Sequence, residues 1–205
     1  LSRQAANLQA TRLPLQHRAN LKTPVNWCEA EQTGISSAVM SIVTTYLEMH
    51  SPDQLRPKRC TDGRFHIQEK IERDWRFNRD LYLAVGQMWS WNDKRVWSDE
   101  QWKVYGLAAE LQTFAAYYQH SLAGYYELRR DEGGGVEIAY FGLLPEFIGR
   151  GLGGPLLTSA IEEAWRTSPS VNRVWVHTCT LDHPSALGNY QARGMVLYKQ
   201  EAAEN

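Results

Sequence analysis

Between Val136 and Trp165 the chain reads VEIAYFGLLPEFIGRGLGGPLLTSAIEEAW, an apolar strand, a glycine-rich turn and an amphipathic helix in direct succession. A strand that feeds a helix through so short a turn is a building step of layered α/β architecture, because the helix must pack its apolar stripe back onto the sheet. The same joint constrains chemistry. The first turn of a helix leaves several N–H groups without intrahelical partners, and the aligned peptide dipoles add partial positive charge there, so the joint attracts anions. Gly149, Gly151, Gly153 and Gly154 remove the side chains that would hold a phosphate away from those amides.

Several phosphate-binding turns share this look. The spacing Gly149-x-Gly151-x-x-Gly154 satisfies the dinucleotide fingerprint, but that reading needs an acid about 20 residues further on to hold a ribose. Thr167 to Arg173 contains no carboxylate. A nucleoside-triphosphate loop needs a Lys-Ser or Lys-Thr pair after the glycines, and none follows. A plain glycine-rich connection is the remaining bland reading.

Two ordered segments carry a resemblance. Leu143-Leu144-Pro145-Glu146-Phe147-Ile148-Gly149-Arg150-Gly151-Leu152-Gly153 and His183-Pro184-Ser185-Ala186-Leu187-Gly188-Asn189-Tyr190-Gln191-Ala192-Arg193-Gly194-Met195 together resemble the GNAT acyltransferase superfamily. The likeness covers Gln112 to Gln200 best. It implies a mixed α/β fold (α+β mixed): a central, mostly antiparallel sheet with helices on both faces, whose fourth and fifth strands splay apart around the pantetheine arm of a coenzyme A thioester. Here those strands are Val136–Leu144 and Arg173–Leu181. The implied coenzyme contacts are Leu143, Leu144, Ile148, Gly149, Arg150, Gly151, Leu152, Gly153, Gly154, His183 and Tyr190, with acetyl-CoA as the simplest co-substrate and no metal. The chain departs from the family pattern at Ile148, where an Arg or Gln is usual, at His183 in place of Asn and at Met195 in place of Phe. Arg150 is the nearest replacement cation.

Acyl transfer to an amine needs a neutral nucleophile, a polarised carbonyl and a proton for the departing thiolate. An alkyl ammonium has a pKa of about 10, so a base must assist at neutral pH. Glu137, upstream of Leu143 on one strand, stands where some GNAT enzymes carry a catalytic Glu. His177 on the neighbouring strand is the second base candidate, since imidazole exchanges protons near neutrality. Tyr190 matches the family position whose phenol protonates the coenzyme sulfur, and the N–H of Leu143 or Leu144 is the donor expected at the thioester oxygen. Each has a structural alternative: a solvated strand-start carboxylate, a strand histidine and a packed helix aromatic. The leading expectation is an acyl-CoA-dependent N-acyltransferase that acetylates a primary amine of a small molecule or amino acid by direct attack. A malonyl-CoA decarboxylase or S-acyltransferase, and a non-catalytic acyl-CoA sensor, are the alternatives on the same fold; a nicotinamide-dependent oxidoreductase is a remote fourth.

A formal net charge of −1 gives no electrostatic reason to expect nucleic acid or a membrane as partner. No apolar run approaches the roughly 20 residues that cross a bilayer. Cys28, Cys60 and Cys179 form neither a paired framework nor a metal pattern, which fits a reducing, cytoplasmic setting. Cys179, in a strand run, reads as a buried thiol rather than a nucleophile. Residues 1–23 read as a basic arm with no acid before Lys22, and residues 24–205 as one domain, for which a homodimer is compatible.

In the domain's first half, Val25–Glu29 reads as an opening strand, Ile35–His50 as a helix stopped by Ser51-Pro52, and Ile67–Met88 as a second helix after a loop at Pro57 and Asp62-Gly63. Trp89–Trp102 has no clear period. Gln112–Gln119 and Leu122–Arg130 read as a hairpin around His120-Ser121, followed by the strand Val136–Leu144, the helix Pro155–Arg166, the strand Arg173–Leu181, the helix Pro184–Arg193 and the strand Met195–Gln200. Trp75, Tyr82, Trp89, Trp91, Trp97 and Trp102 are available for a core or for an aromatic acceptor pocket, and Asp74, Asp80, Asp93 or Asp99 for an acceptor's ammonium.

Overall fold

A computed structural model describes residues 41–203. The basic arm, the strand expected at Val25–Glu29 and Cys28 lie outside the described residues. Strands β1 (Val43–Met49), β2 (Phe65–Glu69), β3 (Leu111–Tyr118), β4 (Ser121–Arg130), β5 (Gly135–Leu143), β6 (Arg173–Cys179) and β7 (Val196–Ala202) form one seven-stranded sheet in the order β2-β3-β4-β5-β6-β1-β7. Every neighbouring pair is antiparallel except β5 and β6. Helices α1 (Trp75–Gly86) and α2 (Asp99–Gly106) lie against one face, and α3 (Gly153–Arg166) packs on the other, with the short α4 (Ala186–Ala192) beside it.

The main core lies under α3, where Leu156, Leu157, Ala160, Ile161 and Ala164 meet Leu47, Met49, Leu128, Val136, Ile138, Val174 and Val176. Full burial of an aliphatic side chain stabilises by about 1.5–3 kcal/mol, so this interface anchors the sheet. A second core joins Trp75, Tyr82 and Trp102 between α1 and α2. Both helices start on side-chain caps. Asp74 accepts from Arg76 N at 3.1 Å, and Ser98 and Gln101 form a reciprocal box.

Two expectations are corrected. The part of Ile35–His50 that is described is strand β1, not helix: Thr45, Leu47 and Met49 alternate inward with period two, and β1 pairs on both edges, with β6 and β7. The chain between Ile67 and Met88 is split. Phe65–Glu69 pairs with β3, and the helix begins only after the Asp74 cap. The hairpin between β3 and β4 turns on Gln119 and His120 at φ 50° and 68°, the conformation a two-residue hairpin turn requires although neither residue is Gly.

Candidate active site

Strands β5 and β6 stay side by side only across Gly135↔Arg173, Val136↔Val174 and Glu137↔Trp175, and then part. The cause is local. The β4–β5 register shifts between Glu127 and Leu128, which leaves Ala139 as an extra residue in β5, and a bulge of this kind bends its strand. Meanwhile β6 runs on alongside β1. The result is a V that opens just beyond Glu137.

The bulge also sorts side chains. Val136, Ile138, Phe141 and Leu143 belong to the α3 side, whereas Tyr140 and Gly142 meet residues of α1 and of the segment that follows it. Leu144 N–H donates to Ala123 O on β4 at 2.9 Å. Successive amides of a strand point to opposite edges, so the N–H groups of Phe141 and Leu143 point to the edge from which β6 has departed. Of the two amides expected at a thioester oxygen, Leu143 is therefore available and Leu144 is engaged.

The glycine loop follows at the wide end of the V. A short 3-10 turn, Pro145–Phe147, buries Phe147 and engages Ile148 N–H with Pro145 O. Gly149 and Gly151 adopt φ of 80° and 77°, and nothing lies within 4 Å of where their side chains would be. Those left-handed values disfavour any residue with a Cβ. Leu152, buried against Ala123 and Phe147, precedes α3 without contributing a side-chain cap, so the first amides of that helix receive no capping oxygen from it. Arg150 is exposed, its guanidinium over the Phe147 ring at 5.0 Å. An open, left-handed, uncapped cradle fits a diphosphate.

At the apex of the V, Glu137 is 4% exposed and faces the side opposite α3. Arg129, directly across on β4, donates to it from Nε at 3.0 Å and from Nη2, and His177 Nδ1 stands 3.6 Å from its other oxygen. Burial pushes the Glu137 carboxyl upward, but His177 and Arg129 together outweigh it and hold the group below its ordinary value. It is thus a carboxylate at neutral pH and a poor proton acceptor. His177, half-exposed beside the Tyr46 ring at 5.7 Å, is the accessible member of the pair. Tyr190 lies across the sheet on α4, packed on Phe141 at 6.1 Å. Burial, and then the charge of Asp182, push its phenol well above the ordinary value, so it keeps its proton. His183 accepts from Ser185 N at 3.0 Å and meets Trp89 edge-on at 4.9 Å. Burial also raises the Cys179 thiol, which leaves it protonated.

The model of the acetyltransferase (GNAT) family matches residues 68–195. The chain belongs to that family. Among solved structures, the fold of this GNAT protein is similar to that of a GCN5-related N-acetyltransferase from Sphaerobacter thermophilus (TM-score 0.61, 15% identity, 79% of this chain and 50% of that one). A GCN5-related N-acetyltransferase from Kribbella flavida aligns with TM-score 0.56, 11% identity and coverage of 79% and 58%. An aminoglycoside acetyltransferase from an uncultured soil metagenomic sample, solved with trehalose, aligns with TM-score 0.51, 17% identity and coverage of 64% and 88%. No curated protein matches. The chain spans 50% and 58% of the first two proteins' length, and identities this low are a likeness of fold.

The GNAT loop is bordered by cations that sequence spacing alone does not reveal. At Gly154 in the first turn of α3, an added Cβ would lie 2.6 Å from Arg193 Nη1 and 2.6 Å from Lys58 Cδ. Lys58 comes from the segment between β1 and β2, whose N–H donates to Thr158 on α3 at 2.9 Å, while Arg193 ends α4. Arg193 Nε is buried without a hydrogen-bond partner. The signal in the sequence was the cluster Arg56-Pro57-Lys58-Arg59, far from the glycines along the chain. Opposite α3, Trp91 sits between β5 and the end of β6: its ring lies near Gly142, and its Nε1 donates to Asp182 at 3.2 Å. Trp75 and Trp102 are core. Asp74 is a helix cap and Asp80 and Asp99 pair with Arg79, so none of these three is turned to an acceptor. Asp93 does hold an ammonium, that of Lys94. Among the described residues, no group of His, Cys, Asp or Glu is arranged to hold a metal ion.

Proposed function

We propose that this GNAT protein transfers an acyl group, most simply acetyl from acetyl-CoA, to a primary amine of a small molecule by direct attack. The observation that carries this reading is the glycine cradle at Gly149 and Gly151, in line with the parting of β5 from β6. The cradle amides, with Lys58, Arg150 and Arg193, hold the diphosphate end. The N–H groups of Phe141 and Leu143 receive the thioester oxygen at the strand edge, where fixed donors stabilise developing negative charge.

The amine approaches from the α1–α2 face. His177 removes its proton, and Glu137 acts behind it, orienting Nδ1 and stabilising the imidazolium that forms. The amine nitrogen bonds the acyl carbon as the carbon–sulfur bond breaks. Tyr190, on the α3 face, supplies the proton taken up by the thiolate, so base and acid serve the cleft from opposite faces of the sheet.

Thiol release from acetyl-CoA, followed with a thiol-reactive dye across a panel of primary amines, tests the reading. Tyr190→Phe and Glu137→Gln should each lower kcat by about 10–100-fold, in keeping with the worth of a positioned acid or base, with coenzyme affinity nearly unchanged. Failure to bind acetyl-CoA at saturating concentration overturns the reading. Carbon dioxide release from malonyl-CoA in place of amine acylation would move the chain to decarboxylation.

A further inference from the structure

On the same face as Glu137, between α1 and α2, the rings of Trp97, Tyr105 and Tyr140 surround one ammonium, that of Lys94, at 4.6, 5.0 and 4.7 Å. Tyr140 Oη lies 2.5 Å from Lys94 Nζ and Asp93 Oδ2 lies 3.0 Å from it. Tyr82 holds the assembly from below, donating to Asp93 at 2.6 Å and accepting from Lys94 N at 3.1 Å.

Nothing in the path of the chain demands that Lys94 be buried. It belongs to a segment of turns between the two helices, and its neighbours Arg95 and Val96 are exposed. Yet its side chain is only 12% exposed. What draws it inward is a set of π faces and two carboxylates, Asp93 beside it and the buried Glu127 to which Tyr105 donates, the surroundings that stabilise an ammonium and offer little to a neutral group. The location matters as much as the composition. Tyr140 stands next to Phe141, whose N–H points into the cleft, and the bulge at Ala139 turns Tyr140 toward the side from which an amine would approach.

We propose that the Trp97–Tyr105–Tyr140 cage, closed by Asp93, is an alkylammonium-binding subsite for the acceptor, and that Lys94 is its intramolecular occupant. The ligand is a primary ammonium on an unbranched aliphatic arm, the shape Lys94 itself presents. Calling that ligand the acceptor rests on the acyl-transfer reading; the binding of an ammonium does not. A tethered occupant competes at a high effective concentration, so its removal raises the apparent affinity for an added cation.

The test uses n-butylammonium, with 1-butanol as its neutral counterpart, titrated calorimetrically into the unaltered chain and into Lys94→Ala. The alanine variant should bind butylammonium at least about tenfold more tightly than the unaltered chain and discriminate against butanol, and Asp93→Asn in that background should lose most of the gain. Equal affinity in the two proteins, or equal binding of butanol, overturns the proposal. Should Lys94→Ala fail to fold, the unaltered chain supplies the answer: saturating n-butylammonium, and not 1-butanol, should shift the carbon-13 Cε resonance of Lys94 as it leaves the ring faces, and an unchanged resonance overturns the proposal as well. Thiol release assayed in parallel separates the two readings. Cage binding without turnover for any amine removes acyl transfer alone, and turnover without cage binding removes the cage alone.

Discussion

Arg129→Gln tests whether the apex of the cleft is held by charge. Glu137 has a side chain 5% exposed, and the substitution leaves it with His177 at 3.6 Å as its remaining partner. Removing one member of a fully buried ion pair costs about 3–5 kcal/mol, because the other charge is left without compensation. The Arg129 side chain is 47% exposed. Water therefore screens part of that interaction, and the expected loss is about 2 kcal/mol. For a domain of this size that lowers Tm by roughly 4–8 °C. The sign of the pH dependence follows from the depressed value of Glu137. Its contribution is fully present above the unfolded carboxyl value, about 4.3, and is lost as pH falls through the lower folded value. Melts followed by circular dichroism should thus show the full gap between variant and parent at pH 7, narrowing once the pH drops below about 4. The control is the same substitution beside Glu137→Gln, where no buried charge remains to be stranded. An equal loss of Tm in that background, or a gap that stays constant into acid, would refute an electrostatic clamp.

Gly151→Ala places a Cβ at φ 77°, a left-handed conformation that costs an L-residue about 1–2 kcal/mol. Since nothing crowds that position, the strain should appear as a coenzyme affinity about 5–30-fold weaker by calorimetry, and unchanged affinity would show the cradle to be idle. Lys58→Met and Arg193→Met should weaken coenzyme A, more so at low salt, while leaving pantetheine, which has no diphosphate, unaffected; equal effects on both ligands would contradict the assignment. His177→Gln should lower kcat by about 100-fold with coenzyme affinity nearly unchanged, whereas an unchanged kcat would return the base to another group.

From Gln112 onward the sequence was legible because each element announces itself locally. The apolar runs of β3 and β4, the glycines that follow β5 and the apolar stripe of α3 are all settled within a short stretch of chain. The region before it was not. Val43–Met49 carries apolar residues that suit either period over so short a run, and what decides for a strand is pairing with β6 and β7, from the other end of the chain. Residues 67–69, the second half of β2, read as helix because they lead without a glycine into charged residues, and only the Asp74 cap marks where the helix begins. Tertiary pairing overrode local preference in both.

The candidate site divides along the same line. Glu137, Tyr190 and the glycines could be named from motif positions, but their roles depend on one extra residue, Ala139, which no periodicity displays. Along an unbroken β5, Ile138 and Tyr140 would share a face, Tyr140 would turn toward α3, and the amides facing the open edge would not be those of Phe141 and Leu143. With the bulge, β5 bends from β6 to open the cleft, presents two amides to it, and carries Tyr140 to the face of Glu137 and His177 while Phe141 stays under Tyr190. In the proposed reaction, the base His177 and the acid Tyr190 are then separated by the thickness of the sheet. On that reading an amine loses its proton on one side while the thiolate gains one on the other, and neither transfer obstructs the acyl group that passes between them.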